Sequence, residues 1–250
     1  MTRVLRVAGW LMVAGGVVIA LYLVYSLYYT GVATEAAQRD LLERWERDVG
    51  GVVEPAAAGD RSATTESPAA EPSAEPSAQP SDPPSATPAP EPAAEPAPEP
   101  PPAPGEAVAV LAFARPGDDE PLVVPDPLFV VEGVSVEELK RGPGHYTGTA
   151  MPGQAGNFAV AGHRTTYGHP FFDLDELRAG DEVHVTDRGG RRWVYSVVRQ
   201  EIVDPADVRV IAPDPLGTGR PTLTLTTCHP RFSAAQRLVV FAELAGTVPA

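Results

Sequence analysis

The chain of 250 residues holds a single thiol, Cys228. It closes the run TLTLTTC, whose strict alternation predicts a strand with Leu223 and Leu225 on one face and Thr222, Thr224, Thr226 and Cys228 on the other. A lone cysteine is commonly a buried, inert group. Here its polar face and its place at a strand end argue for a thiol that is used. A nucleophilic cysteine needs a base or a cation nearby. Among five histidines, His163 ends the run NFAVAGH, where Phe158 and Val160 take one face and Ala159, Ala161 and His163 the other, the small alanines leaving room for a substrate chain. His229 follows Cys228 directly, so its ring projects to the opposite face. His145, His169 and His184 fall in a Gly-rich loop, a turn and a strand, and read as structural. Acyl transfer also needs a donor for the developing oxyanion. Arg237 opens the strand after the loop HPRFSAAQ, beside the end of the cysteine strand in a hairpin-like pairing, and is favoured over Arg231, which lies within the loop. The competing reading of Arg237 is a solvated surface side chain.

Short strands must position these groups. Val108–Phe113, Leu128–Val131, Phe158–Ala161, Glu182–Thr186, Arg192–Val198, Val208–Ile211, Thr222–Thr227 and Leu238–Leu244 each suit a strand, and Asp187-Arg188-Gly189-Gly190 suits a hairpin turn. Eight strands over roughly 140 residues predict an all-β closed barrel or sandwich. Two helical turns interrupt them: Ser135 with Glu138, closed by Gly142, and Asp173 with Glu176, closed by Gly180.

Composition divides the rest of the chain. Sixteen of the 29 prolines and nine acidic residues fall in residues 54–105, which carry no aromatic side chain. Net charge is 0 over residues 1–53, −8 over 54–105 and −6 over 106–250. A segment unable to bury apolar surface cannot offset its conformational entropy, so 54–105 is expected to be a disordered, polyproline-like linker reaching on the order of 150 Å at most. Residues 7–29 carry no charge and are long enough to cross a bilayer, with Arg3 and Arg6 before them placing residues 1–6 in the cytoplasm. The run exceeds the apolar core of a signal peptide and no clear cleavage site follows, so an uncleaved anchor is expected. In the juxtamembrane segment 30–53, Leu41, Leu42 and Trp45 have helical spacing and Glu43 faces Arg47 four residues on, which reads as a helical continuation of the anchor. The folded domain is then 106–250. Acidic domain and acidic linker together argue against nucleic acid, and one cysteine excludes an internal disulfide and a cysteine-based zinc site.

The pattern Gly156-Asn157, then Ala161-Gly162-His163-Arg164, then LTLTTC ending at Cys228, then Arg237, resembles the sortases, membrane-anchored cysteine transpeptidases of Gram-positive bacteria. The stretch GPGHYTGTAMPGQAGNFAVAGHRTTYGHPFFDLDELRAGDEV is most similar to class E, the housekeeping type of high-GC actinobacteria. The resemblance covers about Pro127 to Leu244 and implies an eight-stranded barrel with His163, Cys228 and Arg237 as the catalytic trio. It implies cleavage of a C-terminal sorting signal between Thr and Gly through a thioester on Cys228. An amine of lipid II or of a peptidoglycan stem peptide would then take up the acyl group. His163 would serve as acid and then base, and Arg237 would hold substrate and oxyanion. Thr227 matches a motif position near the substrate, and Tyr146 a class E feature linked to preference for LAXTG over LPXTG signals. Before Leu128 the usual opening strand motif is replaced by VAVLAFARPGDDE.

A pilus-polymerising sortase is the nearest alternative, although 54–105 lacks the aromatic of the typical lid and the sequence ends at Ala250 without the second membrane segment such enzymes often carry. A hydrolytic cysteine peptidase and a wall-tethered peptide-binding module are the others. No cofactor or metal is expected: the acidic triplet Asp118-Asp119-Glu120 lacks the spacing of a calcium loop and reads as solvated.

Overall fold

A computed structural model describes residues 2–25, 30–49, 101–118, 122–124 and 126–248. The linker expected over 54–105, apart from its last five residues, and Asp119 and Glu120 of the acidic triplet lie outside the described residues, as do residues 26–29 of the apolar run.

Helix α1 spans Thr2–Val24, and its stretch Arg6–Val24, of mean hydropathy 2.3 and with none of its surface buried, is long and apolar enough to cross a membrane. Helix α2, Thr30–Val49, is docked on the barrel, and its expected continuity with the anchor falls on residues 26–29, outside the described residues. Its Leu41 and Trp45, 1% and 3% exposed, pack on Val110, Phe129 and Val131. Burying each contributes about 1.5–3 kcal/mol. Among the described residues the ion pairs within the helix are Glu35 with Arg39 and Asp40 with Arg44, not the expected Glu43 with Arg47. The sequence showed the apolar stripe but not the surface it meets.

The barrel is built from β1 (Ala107–Ala114), β2 (Leu128–Glu132), β3 (Gly144–His145), β4 (Asn157–Ala161), β5 (Glu182–Asp187), β6 (Arg192–Val203), β7 (Thr222–His229) and β8 (Gln236–Val248). The order β1-β2-β3-β4-β7-β8-β6-β5 closes on itself. The pairs β2–β3 and β4–β7 are parallel and the others antiparallel. Alternation sets the inside: Val108, Phe158, Val160, Leu223, Leu225, Leu238 and Val240 form the core together with Phe171, Leu174 and Leu177 from the loop after β4. The atypical opening segment supplies β1, which bridges β2 and β5 and so completes the closure.

Two expected elements differ. Val208–Ile211 is a 3-10 turn, not a strand: Asp207 caps it by accepting from the Arg209 amide, and only Val210 is buried, beside Val239 and Phe241 on the outside of β8. Four apolar residues in a row satisfy a short strand and a buried turn equally well. The eighth strand is instead β3, whose two residues are too few to leave a pattern. Helix α3, Val136–Leu139, forms where Ser135 and Glu138 predict it, with the Ser135 hydroxyl accepting from Glu137 N and pairing with the Glu138 carboxylate. The second turn is 3-10 over Leu174–Glu176, and Asp173 makes no capping bond with its side chain.

Candidate active site

The register of three neighbouring strands decides where the chemistry-bearing residues meet. In the parallel pair β4–β7, Ala161 lies opposite Thr226, and Gly162 N continues the ladder to Thr226 O at 3.0 Å. His163 stands two residues past Ala161 and Cys228 two residues past Thr226. In the antiparallel pair β7–β8, Cys228 lies directly opposite Arg237. The strand order therefore sets Cys228 on the middle strand of the three, with Arg237 opposite it and His163 just beyond the end of β4, neighbouring strands lying about 4.8 Å apart.

Parity places the thiol outside the core. Leu223 and Leu225 point inward, while Thr224 and Thr226 point outward, where the Thr224 hydroxyl donates to Asn157 Oδ1 at 2.9 Å. Asn157 in turn donates to the carbonyls of Val210 and Ala212, fastening the 3-10 turn over that face. Cys228 is free and half-buried. The Tyr146 hydroxyl lies 3.0 Å from the Thr226 hydroxyl, on the face that carries Cys228. Thr227 has the opposite parity: its hydroxyl is buried and donates to Gly162 O at 2.8 Å, tying the base of the His163 loop to β7.

His163 is held by its backbone and left open at its ring. Phe171 N donates to His163 O, and the ring packs on Tyr167 with centroids 4.9 Å apart. Its Nε2 is buried and has no hydrogen-bond partner. Desolvation therefore lowers its pKa below the ordinary 6.5, favouring the neutral imidazole. Above pH 6.5 the ring is neutral in both folded and unfolded chains and adds no pH dependence. As pH falls below 6.5 toward the depressed folded value, the unfolded chain binds the proton more tightly and folding stability declines. NMR of the resting chain should show this ring titrating below 6.5, and a midpoint above 6.5 would refute the effect of its burial.

Arg237 is half-buried, and its Nη1 donates to Ala234 O and Gln236 O, both at 3.0 Å. Its register places it beside Cys228, while its guanidinium turns back on the loop.

The floor under His163 is tight. A methyl group on Gly162 would stand 2.5 Å from Phe171 Cδ2, and Phe171 is fully buried. Gly162→Ala is expected to cost about 1–3 kcal/mol through overpacking and to displace the loop. Thermal unfolding checks the first effect, and a changed His163 ring signal the second.

Similarity to known proteins agrees with the geometry. The sortase domain family matches residues 126–245. Sortase E from Streptomyces avermitilis is 43% identical, with a TM-score of 0.50, over 59% of this chain and 93% of that one. The chain belongs to the sortase family. Sortase SrtE1 of Streptomyces coelicolor is 38% identical over 46% of this chain and 36% of its own length, so the chain spans only about a third of that relative. A crystal structure of Sortase E1 from Streptomyces coelicolor with a tripeptide in the active site is 31% identical, with a TM-score of 0.50, over 59% of this chain and 93% of that one. These matches bear out the class E resemblance.

The sortase site also contains a residue to which the sequence assigned no role. Arg164, 2% exposed, donates from Nη1 to Cys228 O at 3.3 Å and contacts His229 Nδ1 at 3.1 Å, donates from Nε to Phe172 O, and pairs through Nη2 with Asp175 at 2.8 Å. Arg231 joins from the β7–β8 loop, donating to Asp173 and Asp175 and lying over the Phe172 ring at 4.3 Å. One buried guanidinium thus links the end of the cysteine strand to the loop that follows His163. The run DLDE was the only sequence hint of its partners, and acidic runs usually lie in solvent. Of the other histidines expected to be structural, His145 is buried between Glu132 and Thr149, His184 pairs with Glu182, and the His169 ring packs on Phe172.

Proposed function

We propose that this sortase domain is a cysteine transpeptidase that cleaves a C-terminal sorting signal of LAXTG or LPXTG type between Thr and Gly and passes the protein to an amine of a cell-wall precursor. The observation that carries the reading is the direct pairing of Cys228 with Arg237 across β7 and β8, with His163 two residues beyond the end of β4, whose last residue Ala161 pairs with Thr226 of β7. The tripeptide held in the active site of the Streptomyces coelicolor relative supports a peptide substrate.

In the proposed reaction, neutral His163 takes the thiol proton as Cys228 Sγ attacks the Thr carbonyl carbon. The Arg237 guanidinium leaves its loop carbonyls and donates to the oxyanion. As the C–N bond breaks, the imidazolium returns the proton to the Gly amine, which departs and leaves a thioester on Sγ. An incoming amine attacks the thioester and gives up a proton to His163, and the C–S bond breaks to form the new amide. The thiolate regains its proton from the imidazolium. Tyr146 faces the substrate near the signal's second residue, and Thr227 acts through Gly162 by fixing the His163 loop. No cofactor enters these steps. With α1 in the cell membrane and its N-terminus cytoplasmic, the barrel lies outside, where sorting-signal proteins and lipid II meet it.

Incubating the full chain in detergent micelles with an LAXTG peptide and triglycine tests this reading. Amide product supports it, free acid alone points to a peptidase, and binding without cleavage would refute the enzyme. Comparing LAXTG with LPXTG peptides on the Tyr146→Phe protein tests its role in selection.

A further inference from the structure

Helix α2 does more than follow the anchor. Beyond Leu41 and Trp45, its Thr34 hydroxyl donates to Lys140 O at 2.7 Å. Gln38 donates to Arg141 O at 2.8 Å and to Phe129 O at 3.1 Å, and accepts from Phe129 N at 2.8 Å. A side-chain amide that serves both polar groups of one strand residue fixes the helix in rotation and translation. Trp45 adds an edge contact with Phe129, centroids 5.9 Å apart. This is a specific interface, apolar toward one end of α2 and polar toward the other.

Its polar end touches the catalytic rim. Tyr167 N donates to Thr30 Oγ1 at 3.4 Å, and a methyl group on Gly168 would stand 3.1 Å from Thr34 Cγ2. Tyr167 is the ring packed on His163. Thr30 is also the residue of α2 nearest the anchor in the chain: six steps separate it from Val24, the last residue of α1. At about 3.6 Å per step they span at most on the order of 20 Å. The rim bearing His163 is therefore held close to the outer end of α1.

The other end of α2 bears on the Pro-rich segment. Val49, the last residue of α2, and Ala107, the first of β1, pack on the same cluster of Val110, Phe129 and Val131. Arg141 fixes the return of the chain by donating to Gly105 O at 2.7 Å, and Gly105 N donates to Glu132 O at 2.8 Å. The last residue of α2 and the first of β1 thus meet the barrel at the same cluster.

We infer that α2 is a clamp that fastens the barrel to the outer end of the anchor with its catalytic rim turned toward the membrane. The barrel's distance from the bilayer is then set by α2 and not by the length of the Pro-rich segment. This takes from the proposed function only that α1 lies in a membrane, and it needs no turnover.

The lone thiol allows a direct test. The full chain, labelled with a donor dye at Cys228, is reconstituted in liposomes carrying an acceptor on the lipid headgroup. Failure to float with the liposomes would sink the anchor reading, and the placement with it, before any dye is read. With the clamp, energy transfer is strong and does not change when residues 60–95 are deleted. Weak transfer in the intact chain, or transfer that rises on deletion, would show that the Pro-rich segment sets the distance and would overturn the inference. Replacing Leu41→Asp together with Trp45→Asp should lower transfer several-fold while the barrel still unfolds cooperatively. Undiminished transfer from a folded double variant would also overturn it. Should that variant fail to fold, the deletion decides alone.

Discussion

Cys228→Ala is expected to abolish amide formation, by roughly ten-thousand-fold or more, while the barrel unfolds at nearly the same temperature. Both halves follow from the position of the residue. The sulfur is half-buried on the outward face of β7, and its register partner Arg237 donates to loop carbonyls rather than to it. Removing it leaves no unsatisfied group and no cavity in the core, so the cost in stability is about 1 kcal/mol or less. The proposed chemistry, by contrast, has no other nucleophile, because the chain has no second thiol. Mass spectrometry of the protein with an LAXTG peptide and no amine should show an acyl adduct on the unaltered chain and none on the variant. A variant that still joins peptide to triglycine would refute the assignment.

Arg164→Met should lower stability and turnover together. The variant keeps much of the side-chain volume but removes every donor. Cys228 O and Phe172 O lose a donor, and Asp175 loses a buried cation. Asp175 keeps Arg231 at 3.0 Å and is itself 39% exposed, so its share of the penalty is screened. We expect a loss of about 2–4 kcal/mol, most of it from the orphaned carbonyls and the lost packing. Below the unfolding temperature kcat/KM should fall at least about tenfold, since an ångström-scale shift of the His163 loop against Cys228 is costly to a two-residue proton transfer. Arg164→Lys should not restore it, because a single ammonium cannot reach four partners in a fixed fork. A variant destabilised to this extent but turning over normally would make Arg164 structural alone.

These residues also show what the sequence could carry. The alternation of TLTLTTC located Cys228 on the outer face because parity is a local property of a strand. The hairpin-like succession of β7 and β8 also set Arg237 beside Cys228, whereas bringing His163 to the cysteine strand depends on pairing between strands far apart in sequence, and only the resemblance supplied that. Arg164 stood inside a recognised motif without a role, because its partners come from Phe172, Asp175 and the end of β7, which the fold alone brings together. Leu41 and Trp45 announced a buried helix face but not the barrel surface that buries it. Val208–Ile211 misled through composition: short apolar runs do not distinguish a strand from a capped turn. Gly144–His145 is too short for any pattern to form.

The placement of His163, Cys228 and Arg237 also determines which changes the gene can absorb. Inserting one residue inside β7 ahead of Cys228 would turn the thiol into the core and invert every threonine and leucine behind it. An insertion or deletion there ends the chemistry at once, as it does in β4 ahead of His163. The loop from Asp204 to Pro221 obeys no such parity, and neither does the chain between α2 and β1. Length variation among descendants of this sequence should therefore collect in those stretches, leaving the spacing from His163 to its loop and from Cys228 to Arg237 unchanged. A library of random single-codon insertions, selected for surface display of a sorted protein, would trace the barrel's strands as a series of gaps.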